Sequence, residues 1–247
     1  MLASFSLHLF WDALSSRPFW RGALLAIEIT VVSFVVSIVI GFFLALGRSS
    51  RSRAVRGGVF LYTWIFRATP TLLQLLFIWD ALPQIWPTFR HSWFTPFLAA
   101  AIALSLNEAA YMAEIIRSGL LSVDPGQELA GRALGMPRRR ILRRIIVPQA
   151  VRIVIPPMGN EFITLLKLTS LASVISVTEL LTAAQDYYST TFSYTEAFAA
   201  AALYYLVIVS VLMLVQSRIE RRFTFTSRTR KRTAAAPAVP AISHDAR

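Results

Sequence analysis

The sequence predicts an all-α integral membrane protein with five transmembrane helices, its N-terminus outside and its C-terminus in the cytoplasm. Three observations carry this. Of 247 residues, 55% are hydrophobic and only 15% charged, against about a quarter charged in a typical soluble domain. Several stretches stay apolar over the 20 or so residues needed to cross a bilayer core of about 30 Å. The basic residues fall in alternate connecting segments, as the preference of Lys and Arg for cytoplasmic loops requires.

Residues 22–47 form the first span and are almost continuously apolar. A secretory signal peptide would have a shorter apolar core with a basic stretch ahead of it. Here the run is long and the basic cluster follows it. Residues 59–79 form a second span, interrupted by Arg67 and Pro70, and residues 93–116 a third. Residues 151–177 form a fourth, broken by Pro156, Pro157 and Gly159, and residues 197–216 a fifth. The second and fourth carry polar groups that lipid would penalise, so they are expected to face protein or a water-filled path.

The net charge is +12, with 25 Lys and Arg against 13 Asp and Glu. Such an excess suits nucleic-acid binding, but its distribution argues otherwise. Residues 48–57 hold four basic residues, 117–152 hold eight and 218–247 hold eight. On the opposite side, residues 1–21 hold two, 80–95 one and 178–196 none. The charge is a topology signal, and no nucleic-acid partner is expected. There is no cysteine, and the three histidines are scattered. Thiolate chemistry and a paired-histidine zinc site are therefore excluded. A membrane-embedded enzyme would need a clustered set of catalytic groups, which the sequence does not offer. No internal repeat of the kind that builds secondary transporters is apparent.

The segment 124–149 is too long and patterned for a simple connector. Residues 127–134 read as a short helix. Gly135 suits the left-handed conformation that ends a helix, and Pro137 the first turn of the next. In that second helix Ile141, Leu142, Ile145 and Ile146 fall on one face and Arg139, Arg140, Arg143 and Arg144 on the other, with Pro148 as its stop. The product is two short helices at a sharp bend beneath the membrane, a shape that docks into a groove on a partner or lies on anionic lipid.

This loop resembles the EAA loop of importer permeases of the ATP-binding-cassette (ABC) class. Gly135, Ile145 and Pro148 fall in register with that pattern, with Val147 at its Leu position. Leu129, Ala130 and Gly131 occupy the E-A-A positions. The acidic residue is absent there and Glu128 lies one position earlier. Residues 67–86, 108–127 and 156–181 are similar to permeases of the polar amino acid (His/Glu/Gln/Arg/opine-type) importers. With the first span, the resemblance covers roughly residues 18–222.

The resemblance implies a type I importer permease fold with a cytoplasmic coupling helix. Residues 17–222 would be the transmembrane domain; outside the resemblance, residues 1–16 read by their amphipathic pattern as an interfacial segment on the outer face, and residues 223–247 by their Ala/Pro/Arg-rich composition as a disordered basic tail. The implied assembly holds a pair of cytoplasmic ABC ATPases, a second permease subunit, identical or related, and an extracytoplasmic amino-acid-binding protein, all in or at the bacterial inner membrane. ATP and Mg would be bound by the ATPase. This chain would need no cofactor, catalytic group or metal, and has no GxxxxGK[ST] phosphate-binding loop. A gradient-driven transporter of small polar solutes is the alternative, and it leaves the loop without a task.

Coupling to the ATPase would fall to Gly126, Glu128, Leu129, Ala130, Gly131, Gly135, Ile145 and Pro148. The candidate substrate pathway comprises Arg67, Thr69, Glu108, Asn160, Glu161, Thr164, Lys167, Thr169 and Ser170. Asn160, Glu161 and Thr164 are expected to share one helix face that meets an amino acid. In a rival reading Glu161 pairs with Lys167 or Arg67, within the chain or across a dimer. Glu28 is expected to hydrogen-bond a neighbouring helix, and Glu114 and Arg117 to be structural. Five spans enclose a pathway only as a dimer, and the excess of Glu in the third and fourth spans leans towards a cationic or zwitterionic substrate.

Overall fold

A chain in lipid must satisfy its backbone N–H and C=O groups internally, because hydrocarbon offers no partner. The computed structural model, which describes residues 5–223, meets this with helices alone; among the described residues there is no strand. The chain runs α1 (Leu7–Ser15), α2 (Arg17–Arg48), α3 (Arg53–Ala68), α4 (Thr71–Ile85) and α5 (Pro96–Leu121). It continues with α6 (Pro125–Ala133), α7 (Arg138–Ile175), α8 (Leu180–Thr191) and α9 (Tyr194–Phe223). Three helices, α2, α5 and α9, are each long and apolar enough to cross a membrane. Two bent pairs, α3–α4 at 108° and α7–α8 at 48°, pass the same test when each pair is taken together.

Packing centres on α2 and α5. In lipid the apolar effect between helices is weak, and close approach through small residues takes its place. α5 buries Ala99, Ala100, Ala103, Ala109 and Ala110. A β-carbon at Gly41 of α2 would lie 2.5 Å from Met112 Cβ and 3.0 Å from the Ala113 nitrogen. The Ser33 hydroxyl donates to the Ala101 carbonyl across the pair at 3.3 Å. At the other end of α2, a β-carbon at Gly22 would lie 2.8 Å from the backbone of Glu179 and Leu180. The exposed sides of the long helices are apolar: Val35, Val39 and Phe43 of α2 and Leu206, Val211 and Leu214 of α9 are exposed.

The break expected in the second span is present: α3 ends at Ala68, and Thr69 and Pro70 turn the chain. The break expected at Pro156, Pro157 and Gly159 is absent, because α7 runs through both prolines. Pro156 and Pro157 cannot donate to the carbonyls one turn earlier; separately, Gln216 of α9 donates Nε2 to the Pro156 carbonyl at 3.3 Å and ties α9 to this stretch. The chain turns later, at Ser176, whose φ is 64°. Pro148 likewise does not stop its helix. A π turn over Leu142–Ile146 precedes it, and Pro148 falls in the first turn of the α-helical stretch that follows. The widened turn relieves the clash that proline makes with the preceding helical turn.

The N-terminal segment, expected to lie on the membrane surface, is held by protein. Tyr187 donates its hydroxyl to the Leu9 carbonyl at 3.0 Å and to Asp12 Oδ2 at 2.9 Å. Tyr204 donates to the Leu14 carbonyl at 2.8 Å, and the Ser6 N–H to Glu196 Oε1 at 2.7 Å. Leu7 and Trp11 remain exposed on the outer side of α1. The tail assigned as disordered lies outside the described residues, apart from Phe223, which ends α9.

The α2–α5 contact yields a test. Gly41→Leu is expected to destabilise the subunit by about 1–3 kcal/mol or more through overpacking, seen as a lowered thermal midpoint in detergent. Gly57→Ala, where an added β-carbon meets nothing within 4 Å, should leave the midpoint unchanged.

Candidate functional site: a polar cluster at a helix break and a bent cytoplasmic loop

The break at Thr69–Pro70 strands the last carbonyls of α3. Two buried amides recover them. Gln74 donates Nε2 to the carbonyls of Phe66 (3.0 Å) and Thr69 (3.1 Å) and to Thr69 Oγ1 (2.7 Å). Asn107 of α5 donates Nδ2 to the Phe66 carbonyl at 3.1 Å and to Gln74 Oε1 at 2.9 Å. Thr69 in turn donates its hydroxyl to Ile65 at 2.7 Å. The break is therefore a built feature, tied to α5. Neither Gln74 nor Asn107 was singled out in the sequence, although each is an amide inside an apolar run, which lipid tolerates only with partners.

Glu108 follows Asn107 and is 1% exposed, and its Oε1 has no hydrogen-bond partner among the described residues. Glu161, half-buried on α7, lies within electrostatic reach of Glu108 and of Arg67. The Arg67 guanidinium carbon sits 5.5 Å from the centroid of the Tyr111 ring. Arg67, Glu108 and Glu161 thus group as three ionisable side chains near the junction of α3, α5 and α7. Within the single chain no ion pair joins Glu161 to Lys167 or Arg67 among the described residues; the reading in which they pair across a dimer concerns a second subunit.

A second buried carboxylate provides contrast. Glu179 is fully buried, but it caps α8 by accepting from the Thr182 N–H at 3.0 Å and accepts from the Tyr205 hydroxyl at 3.1 Å. Burial of a charge is costly unless it is hydrogen-bonded. Glu179 is satisfied as structure, whereas Glu108 retains unspent acceptor capacity.

The structure does not place Asn160, Glu161 and Thr164 on one face. Residue i+1 lies about 100° around the helix from residue i. Glu161 turns towards α5, and Asn160 and Thr164 turn towards α9. There, with Lys167, Gln216, Ser217 and Glu220, they line a cavity of about 580 Å³. Gln216 Nε2 donates to Asn160 Oδ1 at 2.9 Å and to Glu220 Oε1 at 2.8 Å. Thr169 and Ser170 spend their hydroxyls on the carbonyls of Leu166 (2.7 Å) and Lys167 (2.8 Å). Glu28, expected to bond a neighbouring helix, is exposed and bonds none of the described residues. Glu114 and Arg117 pair with one another at 3.3 Å.

The loop is two helices at a glycine bend. Asp124 caps α6, its Oδ1 accepting from the Gly126 N–H at 2.7 Å. Gly135 has φ +69°. The Met136 N–H reaches the Gly131 carbonyl at 3.0 Å and the Gly135 N–H that of Arg132 at 2.9 Å, the paired bonds of a Schellman ending. Gly131 permits the bend to close: a β-carbon there would lie 2.8 Å from Ile141 Cγ1, and Ile141 is fully buried. Glu128 pairs with Arg132 one turn on. Ile145 is half-buried, while Ala130 and Pro148 are exposed. Leu129 and Leu134 project outward, 66% and 80% exposed. Leu134 is a feature that the sequence reading missed.

Residues 37–225 match the family described as the binding-protein-dependent transport system inner membrane component. The chain is 40% identical over 227 residues to the arginine transport system permease protein ArgU of Corynebacterium glutamicum, covering 86% of this chain and 72% of that one. It is 40% identical over 217 residues to the L-cystine transport system permease protein TcyB of Bacillus subtilis, covering 86% and 90%. It is 44% identical over 190 residues to the octopine transport system permease protein OccM of Rhizobium meliloti, covering 75% and 77%. In fold it is similar to an amino acid ABC transporter crystallised with histidines, with a TM-score of 0.79 and 34% identity over 90% of this chain and all of that one. The inward-facing MetNI methionine ABC transporter shares the fold, with a TM-score of 0.67 at 20% identity over 90% of this chain and all of the other. The helical membrane architecture, the bent loop and these similarities together make this chain a multi-pass membrane permease of the binding-protein-dependent transport system inner membrane component family.

Proposed function

We propose that the chain is the membrane-spanning subunit of an ATP-driven importer of polar amino acids in the bacterial inner membrane. Five spans cross it, α3–α4 and α7–α8 each serving as one, with the N-terminus outside and the C-terminus in the cytoplasm. The observation that carries this reading is mechanical. α7 runs unbroken from the loop bend at Arg138 past Glu161 to Ile175, so movement of the loop reaches the ionisable cluster through one rigid helix. The gradient-driven alternative gives that linkage no task.

In this reading Leu129 and Leu134 are the apolar knobs that enter a groove on a cytoplasmic ABC ATPase, with Gly126, Ala130, Gly131 and Gly135 shaping the bend. ATP and Mg act in that partner. Closure of an ATPase pair moves α6 and α7 together and exposes the cluster alternately to either side. A second permease subunit faces Glu28, Arg67 and Lys167, which are exposed in the single chain; each charge left against lipid costs about 2.5–3.5 kcal/mol on insertion scales. An extracytoplasmic binding protein delivers the substrate. The named systems of arginine, L-cystine and octopine support the amino acid class. The open acceptor on Glu108, with Glu161 beside it, supports a substrate bearing an ammonium or guanidinium group.

Two outcomes follow. Gly135→Val forces a β-branched residue into the left-handed region, at about 1–2 kcal/mol or more. The variant subunit should insert and still co-purify with the ATPase, yet lose stimulation of ATP hydrolysis by the loaded binding protein; normal uptake by it would refute the coupling role of the loop. Glu161→Gln should raise the apparent KM for a cationic amino acid at least about tenfold, since loss of one partner of a desolvated charge pair costs about 2–5 kcal/mol. Uptake into liposomes measures it, and unchanged kinetics would remove Glu161 from the pathway.

A further inference from the structure

The arginines of α7 are more concentrated than topology requires. Arg139, Arg140, Arg143 and Arg144, with Pro137, line a cavity of about 420 Å³. All four are exposed, and none has an acidic partner among the described residues. Exposed helical arginines normally disperse or pair with carboxylates at i+4, as Arg132 does with Glu128. Four unpaired guanidiniums around one cavity repel one another unless an anion joins them. A phosphate suits this chemistry, because the guanidinium fork matches its oxygens.

A second feature identifies the source of that phosphate. One turn after Arg144 one face of the same helix is apolar, and Val147, Val151 and Val154 form one wall of a separate cavity of about 390 Å³. Ile38 and Phe42 of α2 and Leu120 of α5 supply the other walls, with no polar surface between them. A basic cavity and an apolar groove therefore follow one another along a single helix. At 1.5 Å per residue, Arg144 and Val151 are about 10 Å apart along its axis, the scale of a headgroup above its first acyl carbons.

We propose that this helix holds an anionic phospholipid of the inner leaflet, its phosphate among Arg139, Arg140, Arg143 and Arg144 and one acyl chain in the groove along Val147, Val151 and Val154. The inference rests on the topology above, in which the arginine-rich segment is cytoplasmic. The lipid would seat α7 against the bilayer beside the loop bend, with the exposed knobs Leu129 and Leu134 left free of it. A free phosphate shares the headgroup chemistry but has no use for the groove.

The test uses the complete importer complex, purified from cells and washed into phosphatidylcholine with a minor fraction of phosphatidylglycerol. Retained lipid is measured by mass spectrometry, with or without inorganic phosphate as competitor. Phosphatidylglycerol should be retained over phosphatidylcholine and resist inorganic phosphate at equal concentration. The variant carrying Arg139→Gln, Arg140→Gln, Arg143→Gln and Arg144→Gln should lose that retention more than about tenfold, since each basic residue near an anionic surface contributes severalfold. Val151→Trp fills the groove from an exposed position, leaves every arginine in place, and should lower retention as well. Equal retention of the two lipids overturns the proposal, as does retention unaffected by Val151→Trp. Displacement by inorganic phosphate overturns the lipid source in favour of a soluble anion. If the arginine variant loses the ATPase and keeps the lipid, the patch is a protein contact and the proposal falls. ATPase stimulation by the loaded binding protein is followed in the same preparations. Its presence without selective lipid retention refutes this site alone, and its absence from the wild type refutes the importer reading.

Discussion

The close approach of α2 and α5 is the constraint on which the rest of the structure depends. In lipid, two apolar helices gain little from burying side chains that hydrocarbon would solvate equally well; what holds them is dispersion at short range and hydrogen bonding. Gly41 against Met112 and Ala113, and Ser33 against the Ala101 carbonyl, supply both. This contact sets where α5 stands, and α5 carries Asn107 and Glu108. It also carries Gly119, where an added β-carbon would collide with Val154 of α7. The spine therefore positions both the helix break and the helix that leads to the cytoplasmic loop.

Around that spine the chain handles its polar groups in two ways. Some are paired within the protein. Gln74 and Asn107 take over the carbonyls left by the break before Pro70, Gln216 ties α9 to Pro156 and Asn160 of α7, and Glu179 caps α8 while holding Tyr205. Others are left with capacity to spare: Glu108 Oε1 lacks a partner, and Glu28, Arg67 and Lys167 are exposed. The first group costs little because each is satisfied. The second group is costly in a lone chain, and such groups are expected to meet a second subunit, water or a substrate. The distinction separates structural from transport residues better than depth in the membrane does.

α7 joins the two regions of interest. Its π turn at Leu142–Ile146 lets it pass Pro148 and the Gln216 contact accompanies it past Pro156 and Pro157, so that one helix connects Gly135 to Glu161. Its arginine-rich start sits between the loop and the first apolar turn. The same helix thus touches a proposed protein partner, a proposed lipid and the ionisable cluster.

Periodicity and charge placement were readable along the chain because they are local. Long apolar runs, basic connectors and the Gly135–Pro137 bend depend on neighbouring residues and on backbone preference, which survive without tertiary context. The break at Pro70 was legible for the same reason. The prolines at 148, 156 and 157 misled because a helix can pass a proline when a turn widens, as over Leu142–Ile146, or when packing against another helix holds it, as α9 holds α7. Asn160 and Glu161, adjacent in sequence, were assigned to one face and were separated by packing, α9 taking the first and α5 the second. Gln74 and Asn107 gained their importance from meeting across two helices. Local chemistry set which segments are helical and in which connectors the basic residues gather, while the pairing of distant helices chose which polar groups are satisfied and which are left without a partner.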